Sequence, residues 1–143
     1  MYKVDKTKIS LIRGDTLILE VDIYDSDGDF YELQEGDSVH FTLKKAELKK
    51  DKTDYVHKEP VIEKIIPNEN LMLQLDAEDT ANLPFGRYVY NIQLRTGAGI
   101  VDTFIFNIFD LLSEEEAAEL FTNSLPPIEY ISGKLSFVNH EES

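Results

Sequence analysis

Asp76–Leu94, DAEDTANLPFGRYVYNIQL, is the stretch that decides how this chain folds. Ala77–Asn82 has the make-up of a short helical turn, and Leu83-Pro84-Phe85-Gly86 breaks it. From there Tyr88, Tyr90, Ile92 and Leu94 alternate with Val89, Asn91, Gln93 and Arg95, the period of a strand with one face buried. A small, acidic turn, a glycine and then a tyrosine entering a core strand is one way for a chain to cross from one sheet of a β-sandwich to the other. That reading predicts Tyr88 buried, with its hydroxyl tied to backbone near the turn.

Working outward, the same period recurs. Thr7–Ile12 reads as a short strand ending at the turn Arg13-Gly14-Asp15. In Thr16–Tyr24, Leu17, Leu19, Val21 and Ile23 share one face. Asp25–Asp29 is a turn centred on Asp27-Gly28. Val39, Phe41 and Leu43 mark a third strand, and Ala46–Asp54 reads as a solvated loop. Tyr55–Ile66 contains Pro60, which cannot donate to a ladder, so the strand lies at a sheet edge or is broken there. Leu71, Leu73 and Leu75 alternate in a further strand. After the crossover strand, Thr96-Gly-Ala-Gly99 turns the chain into Ile100–Phe109. Seven or eight short strands with turns between them predict an all-β, immunoglobulin-like antiparallel β-sandwich.

The chain has 143 residues, 42% of them hydrophobic, enough for a real core. It has no cysteine, which excludes disulfides, cysteine zinc sites and a thiol nucleophile. Its polar start lacks the apolar core of a signal peptide, and no run approaches the roughly 20 apolar residues of a membrane span. We therefore expect a soluble protein made in the cytoplasm, with no membrane insertion. The net charge of −14 argues against nucleic acid as a partner.

Residues 110–143 carry eight acids and one base, a denser negative charge than the rest, and the pattern changes there. A boundary is placed at Asp110, dividing a β-sandwich over 1–109 from an acidic helix plus apolar extended tail over 110–143. Ser113–Glu116 is a capping box opening a helix to about Thr122. Beyond Pro126-Pro127, Ile128–Val138 reads as two extended pieces around Ser132-Gly133. The tail is too apolar for a loose end. Either it folds back on its own sandwich or it docks on another subunit. Under the second reading the partner or oligomer contacts are Leu120, Phe121, Ile128, Tyr130, Ile131, Leu135, Phe137 and Val138.

The motifs that carry chemistry are weak. Asp25, Asp27 and Asp29 have the spacing of the first calcium-loop ligands, but Phe30 and Gly36 stand where that loop needs Gly and Glu, so a turn is preferred. Arg13-Gly14-Asp15 matches an adhesion tripeptide, but three residues often match by chance and a turn between two strands is strongly preferred. His40, His57 and His140 lack metal-ligand spacing, and no nucleophile elbow is present. We expect no catalytic, cofactor or metal residues. Two other readings stay open: a carbohydrate-binding or adhesin-like module stacking sugars on Tyr24, Phe30, Tyr31 or Phe85, and a hydrolase built on a carboxylate pair.

Four segments in order, Ile12-Arg-Gly-Asp-Thr16, Asp25-Ser-Asp-Gly-Asp29, Val39-His-Phe-Thr-Leu-Lys-Lys45 and Ala77–Gln93, resemble the N-terminal domain of the phage baseplate upper protein family of tailed phages and prophages of Gram-positive bacteria. The resemblance covers roughly residues 9–109. It implies a non-enzymatic virion protein of the baseplate or tail fibre. Such a protein attaches to other tail proteins as a homo-oligomer, a trimer in the family, and helps position the host-recognition apparatus. Phe30 stands where the family pattern has Pro, and Asn91 where it has Asp. The family's long helical region and docking domain have no counterpart within these 143 residues.

Overall fold

The computed structural model describes residues 2–48, 55–120 and 129–136. The elements run β1 (Tyr2–Asp5), β2 (Lys8–Ile12), β3 (Leu17–Tyr24), β4 (Ser38–Leu48), β5 (Tyr55–Ile66), β6 (Met72–Leu75), α1 (Ala77–Thr80), β7 (Gly86–Arg95), β8 (Val101–Leu112), α2 (Glu114–Leu120) and β9 (Glu129–Lys134). The protein is mostly β. Six strands pair in the order β1-β2-β8-β7-β4-β5, and three in the order β6-β3-β9. No helix among the described residues is long and apolar enough to cross a membrane.

Both sheets feed one core, and the alternation read from the sequence selects what enters it. Leu17, Leu19, Val21 and Ile23 of β3 point inward, as do Val39, Phe41 and Leu43 of β4 and Tyr88, Tyr90, Ile92 and Leu94 of β7. Phe41 lies 5.7 Å from Tyr90, and Tyr90 meets Phe109 edge-on at 6.4 Å. The Tyr90 hydroxyl donates to the Thr7 carbonyl, and burial raises its pKa.

The crossover forms as expected. In α1 the Asp76 amide donates to Asp79 Oδ2 at 2.7 Å. Tyr88 is fully buried, and its hydroxyl donates to the Pro84 carbonyl at 2.6 Å. Gly14, at φ +87, turns the chain from β2 into β3 and donates its amide to Thr80 Oγ1 at 3.0 Å. Arg13 bonds the Leu83 carbonyl at 3.2 Å and lies 3.8 Å over the Phe85 ring. Arg13 and Gly14 thus clamp the turn before β3 to the loop before β7.

Several expectations need correction. The sheets are mixed, not antiparallel throughout: β2 runs parallel to β8, and β3 parallel to β9. Nine strands are described, because β1 and β9 each add one. Ala46–Asp54 is not wholly a loop. Strand β4 continues to Leu48 and pairs with β5 as far as Tyr55, while β7 accompanies it only to Lys45, so a two-stranded ribbon projects beyond the sheet. Residues 49–54 lie outside the described residues. Pro60 sits, as expected, on the edge strand, beside two register shifts where the ladder is already interrupted. The boundary at Asp110 cuts through β8, whose Phe109 and Leu111 are both fully buried.

Candidate interaction surface

The tail residues divide in the structure. Ile131 and Leu135 are 1% and 2% exposed and belong to the chain's own core, so they are withdrawn as partner contacts. The physical reason is the place of β9: it completes the small sheet along β3, in register from Leu19↔Glu129 to Tyr24↔Lys134. Tyr130 registers with Glu20 in that strand, and Leu120 ends α2. Phe121, Ile128, Phe137 and Val138 lie outside the described residues. The capping box forms, with the Glu116 amide donating to Ser113 Oγ at 3.2 Å, and Ala117 is buried.

Three contacts hold β9 in place. The Leu135 amide donates to the Tyr24 carbonyl at 2.7 Å. Buried Asp102 of β8 accepts from both the amide and the hydroxyl of Ser136, each at 2.8 Å. Gly133 lies so close to β8 that an added Cβ would stand 2.3 Å from the Phe104 carbonyl oxygen. That approach occurs where β8 bulges, between Ile92 and Gln93 of β7. Asp102→Ala removes one acceptor from two donors and leaves them at a partly buried joint. We expect a loss of about 1–3 kcal/mol, read from the urea midpoint.

The other candidates resolve into structure. The Asp25, Asp27 and Asp29 carboxylates do converge, within 4.8 Å of one another. What gathers them is the turn itself: Asp25 Oδ1 accepts the amides of Asp27 (2.9 Å) and Asp29 (3.1 Å). Of the proposed sugar platforms, Tyr31 is buried and donates to Asp37 Oδ2 at 2.8 Å, and Phe85 lies under Arg13. Phe30 remains 63% exposed, edge-on to Tyr24 at 5.4 Å.

The outward positions of the large sheet bring together apolar, neutral polar and charged side chains. Strand register lines up Phe106 with Asn91 and Thr42, and Thr103 with Gln93, His40 and Ile65. Val101, beside Arg95, extends it. Ile65 is 70% exposed, Val101 58% and Phe106 53%. The polar groups between them are tied to each other: Gln93 donates to Thr103 Oγ1 at 3.0 Å, Arg95 to Gln93 Oε1 at 3.2 Å, and Ser38 Oγ lies 2.8 Å from His40 Nε2. Asn91 Oδ1, at the centre, is buried without a hydrogen-bond partner. Each of the three stands in a different register row, separated from the others by polar side chains, and single exposed apolar residues of this kind are ordinary. Sequence reasoning missed this arrangement because each outward residue looks like a solvent-facing strand position until register aligns it with its neighbours.

Partial burial, and Arg95 second, hold the His40 pKa below the usual imidazole value. The unfolded chain therefore takes up a proton below about pH 6.5 that the folded chain refuses, so stability falls as pH falls through that window. Between pH 7 and 5.5 we expect the urea midpoint to drop more for the wild type than for His40→Gln.

No family model, no curated protein and no solved structure matches this chain.

Proposed function

We propose that this chain is a non-enzymatic structural protein of a tailed phage or prophage, a baseplate or tail-fibre component that attaches to other virion proteins and helps position the host-recognition apparatus. Its frame is read as an immunoglobulin-like sandwich. In support, β2-β8-β7-β4-β5 faces β3 and β6, a helical turn precedes β7, and Tyr88 bonds back to the backbone before its strand, as in a tyrosine corner. The observation that carries the assembly reading is that Phe106, Val101 and Ile65 stand exposed on the outward side of the large sheet. The motif series along residues 12–93 supplies the virion context. A sugar-binding reading keeps Phe30, Tyr24 and Phe85, the last already stacked by Arg13, and has less behind it.

The test is to read the genes flanking this one and to co-express the chain with any tail proteins they encode, followed by light scattering on the purified mixture; flanking genes without tail proteins would count against the reading. A stable complex that Phe106→Glu weakens supports the reading. If none of those proteins forms a complex, the virion role is wrong.

A further inference from the structure

We propose that the groove lined by Arg95 and His40 on the outward side of the large sheet seats an acidic side chain of a partner protein. The aspartate or glutamate carboxylate pairs with Arg95 and His40 together. The inference rests on the assembly reading above and names the chemistry of the contact.

Charge singles out this side of the molecule. From β1 across to β5 the outward positions carry the bases Lys3, Lys8, Lys44, Arg87 and Arg95 and the acids Asp5, Glu63 and Asp110, a net of +2. The whole chain carries −14, with 28 acids to 14 bases. In such a chain a base without a carboxylate stands out. Arg87 and Lys8 meet Asp110, and Lys64 meets Asp79. Arg95 forms no ion pair among the described residues. It donates to Gln93 Oε1, which leaves most of its guanidinium donors uncommitted. Lys3 also borders a hollow, but Asp5 and Asp110 stand beside it there.

The groove has a volume of about 290 Å³, and its walls include His40, Thr42, Glu63, Ile65 and Arg95. Register explains the set: His40 stands between Gln93 and Ile65, and Arg95 lies opposite Ser38 in the next row. Ser38 Oγ is 2.8 Å from His40 Nε2, which leaves Nδ1 for an incoming group. The volume lies just under the range of small-molecule pockets, and an open groove buries too little of a free ligand to hold it. It suits one side chain whose parent protein rests on the surrounding sheet, where Ile65 is exposed. A guanidinium grips a planar carboxylate through two parallel bonds. Glu63 in the same wall repels a dianion more than a monoanion, which sets carboxylate above phosphate. The charged groups around His40 are Arg95 on β7, Glu63 and Lys64 on β5, and Lys44 on its own strand. Burial, then Arg95, oppose protonation of the ring. A carboxylate between His40 and Arg95 favours it, so binding takes up a proton and tightens as pH falls.

NMR titration of the full chain with the peptide hexaglutamate, to about 10 mM, tests this. The side-chain signals of His40 and Arg95 should shift, and those of Phe30 should not. Affinity should be about three- to tenfold higher at pH 5.5 than at pH 7.5, matching a His40 pKa raised by about 0.5–1 on binding. His40→Gln should flatten that dependence. Arg95→Gln should weaken binding at least about fivefold, since it removes the charge-assisted pair. Glu63→Gln should tighten binding. Lys44→Gln, on the same side but outside the groove, should bind like the wild type. No shift at all, or Lys44→Gln costing as much as Arg95→Gln, overturns the proposal. So does inorganic phosphate, at equal ionic strength, if it moves the same signals at lower concentration. If a tail protein binds and Arg95→Gln leaves that complex intact, the groove is not the contact and only the virion reading survives. If hexaglutamate binds as described and no tail protein does, the groove stands and the virion reading falls.

Discussion

Gly133→Ala should be among the most damaging single-methyl changes available to this protein. The added carbon would lie 2.3 Å from the Phe104 carbonyl oxygen and 2.5 Å from Ile105 Cγ1. Both are fixed: one is backbone, the other the side chain of a residue 3% exposed. Strand β9 would have to move off the β8 bulge, loosening Ile131, Leu135 and the Ser136 bonds to Asp102 together. Overpacking of this kind costs about 3 kcal/mol. For a domain of this size that lowers the melting temperature by roughly 10 °C, read by circular dichroism. Ser132→Ala, next door and exposed, should change it little.

Tyr90→Ala is the second large effect. Tyr90 lies mid-strand in the central pair β7–β8, its ring against Phe41 and Phe109 and its hydroxyl on Thr7. Truncation leaves an aromatic-sized cavity and frees the Thr7 carbonyl at the start of β2. The loss should reach about 3–5 kcal/mol. Tyr90→Phe keeps the ring and should lose only about 1 kcal/mol. A gap this wide between the two variants would show that packing, more than the hydroxyl, holds the centre of the sheet.

The central strands were legible because their two faces differ. In β3 and β7 every inward residue is apolar, so period two gives both the strand and its buried side. Pro60 likewise announced an edge, because a proline in a ladder has few other places to go. Strand β1 was missed: Lys3 and Asp5 are exposed, and only Tyr2 and Val4 lean on the core, so four residues gave no clear signal. Pairing direction was also hidden. Period two says which way a side chain points and nothing about which strand lies alongside, so the parallel partners β2–β8 and β3–β9 could not be read.

The tail shows the same limit. Its apolar residues were recognised as needing cover, but Ile131 and Leu135 look the same whether the cover is a partner or the chain's own β3. Gly133 was the available clue. A glycine in a strand marks a bulge or a close backbone approach, and here it marks where β9 meets β8. The outward face was invisible for the opposite reason. Phe106 and Ile65 are 41 residues apart in sequence and share a surface only through the register of four strands.

If β9 completes the domain, Ile131 and Leu135 serve the chain's own core and not a docking arm. Removing residues 129–143 and following unfolding in urea, together with mass in solution, tests this most directly. Without β9, β3 loses its parallel neighbour and the core loses Ile131 and Leu135, so the account predicts a midpoint shifted far down or the loss of a cooperative transition. A shortened chain that melts like the full one, but no longer associates, would contradict it and return the tail to the role of a docking arm.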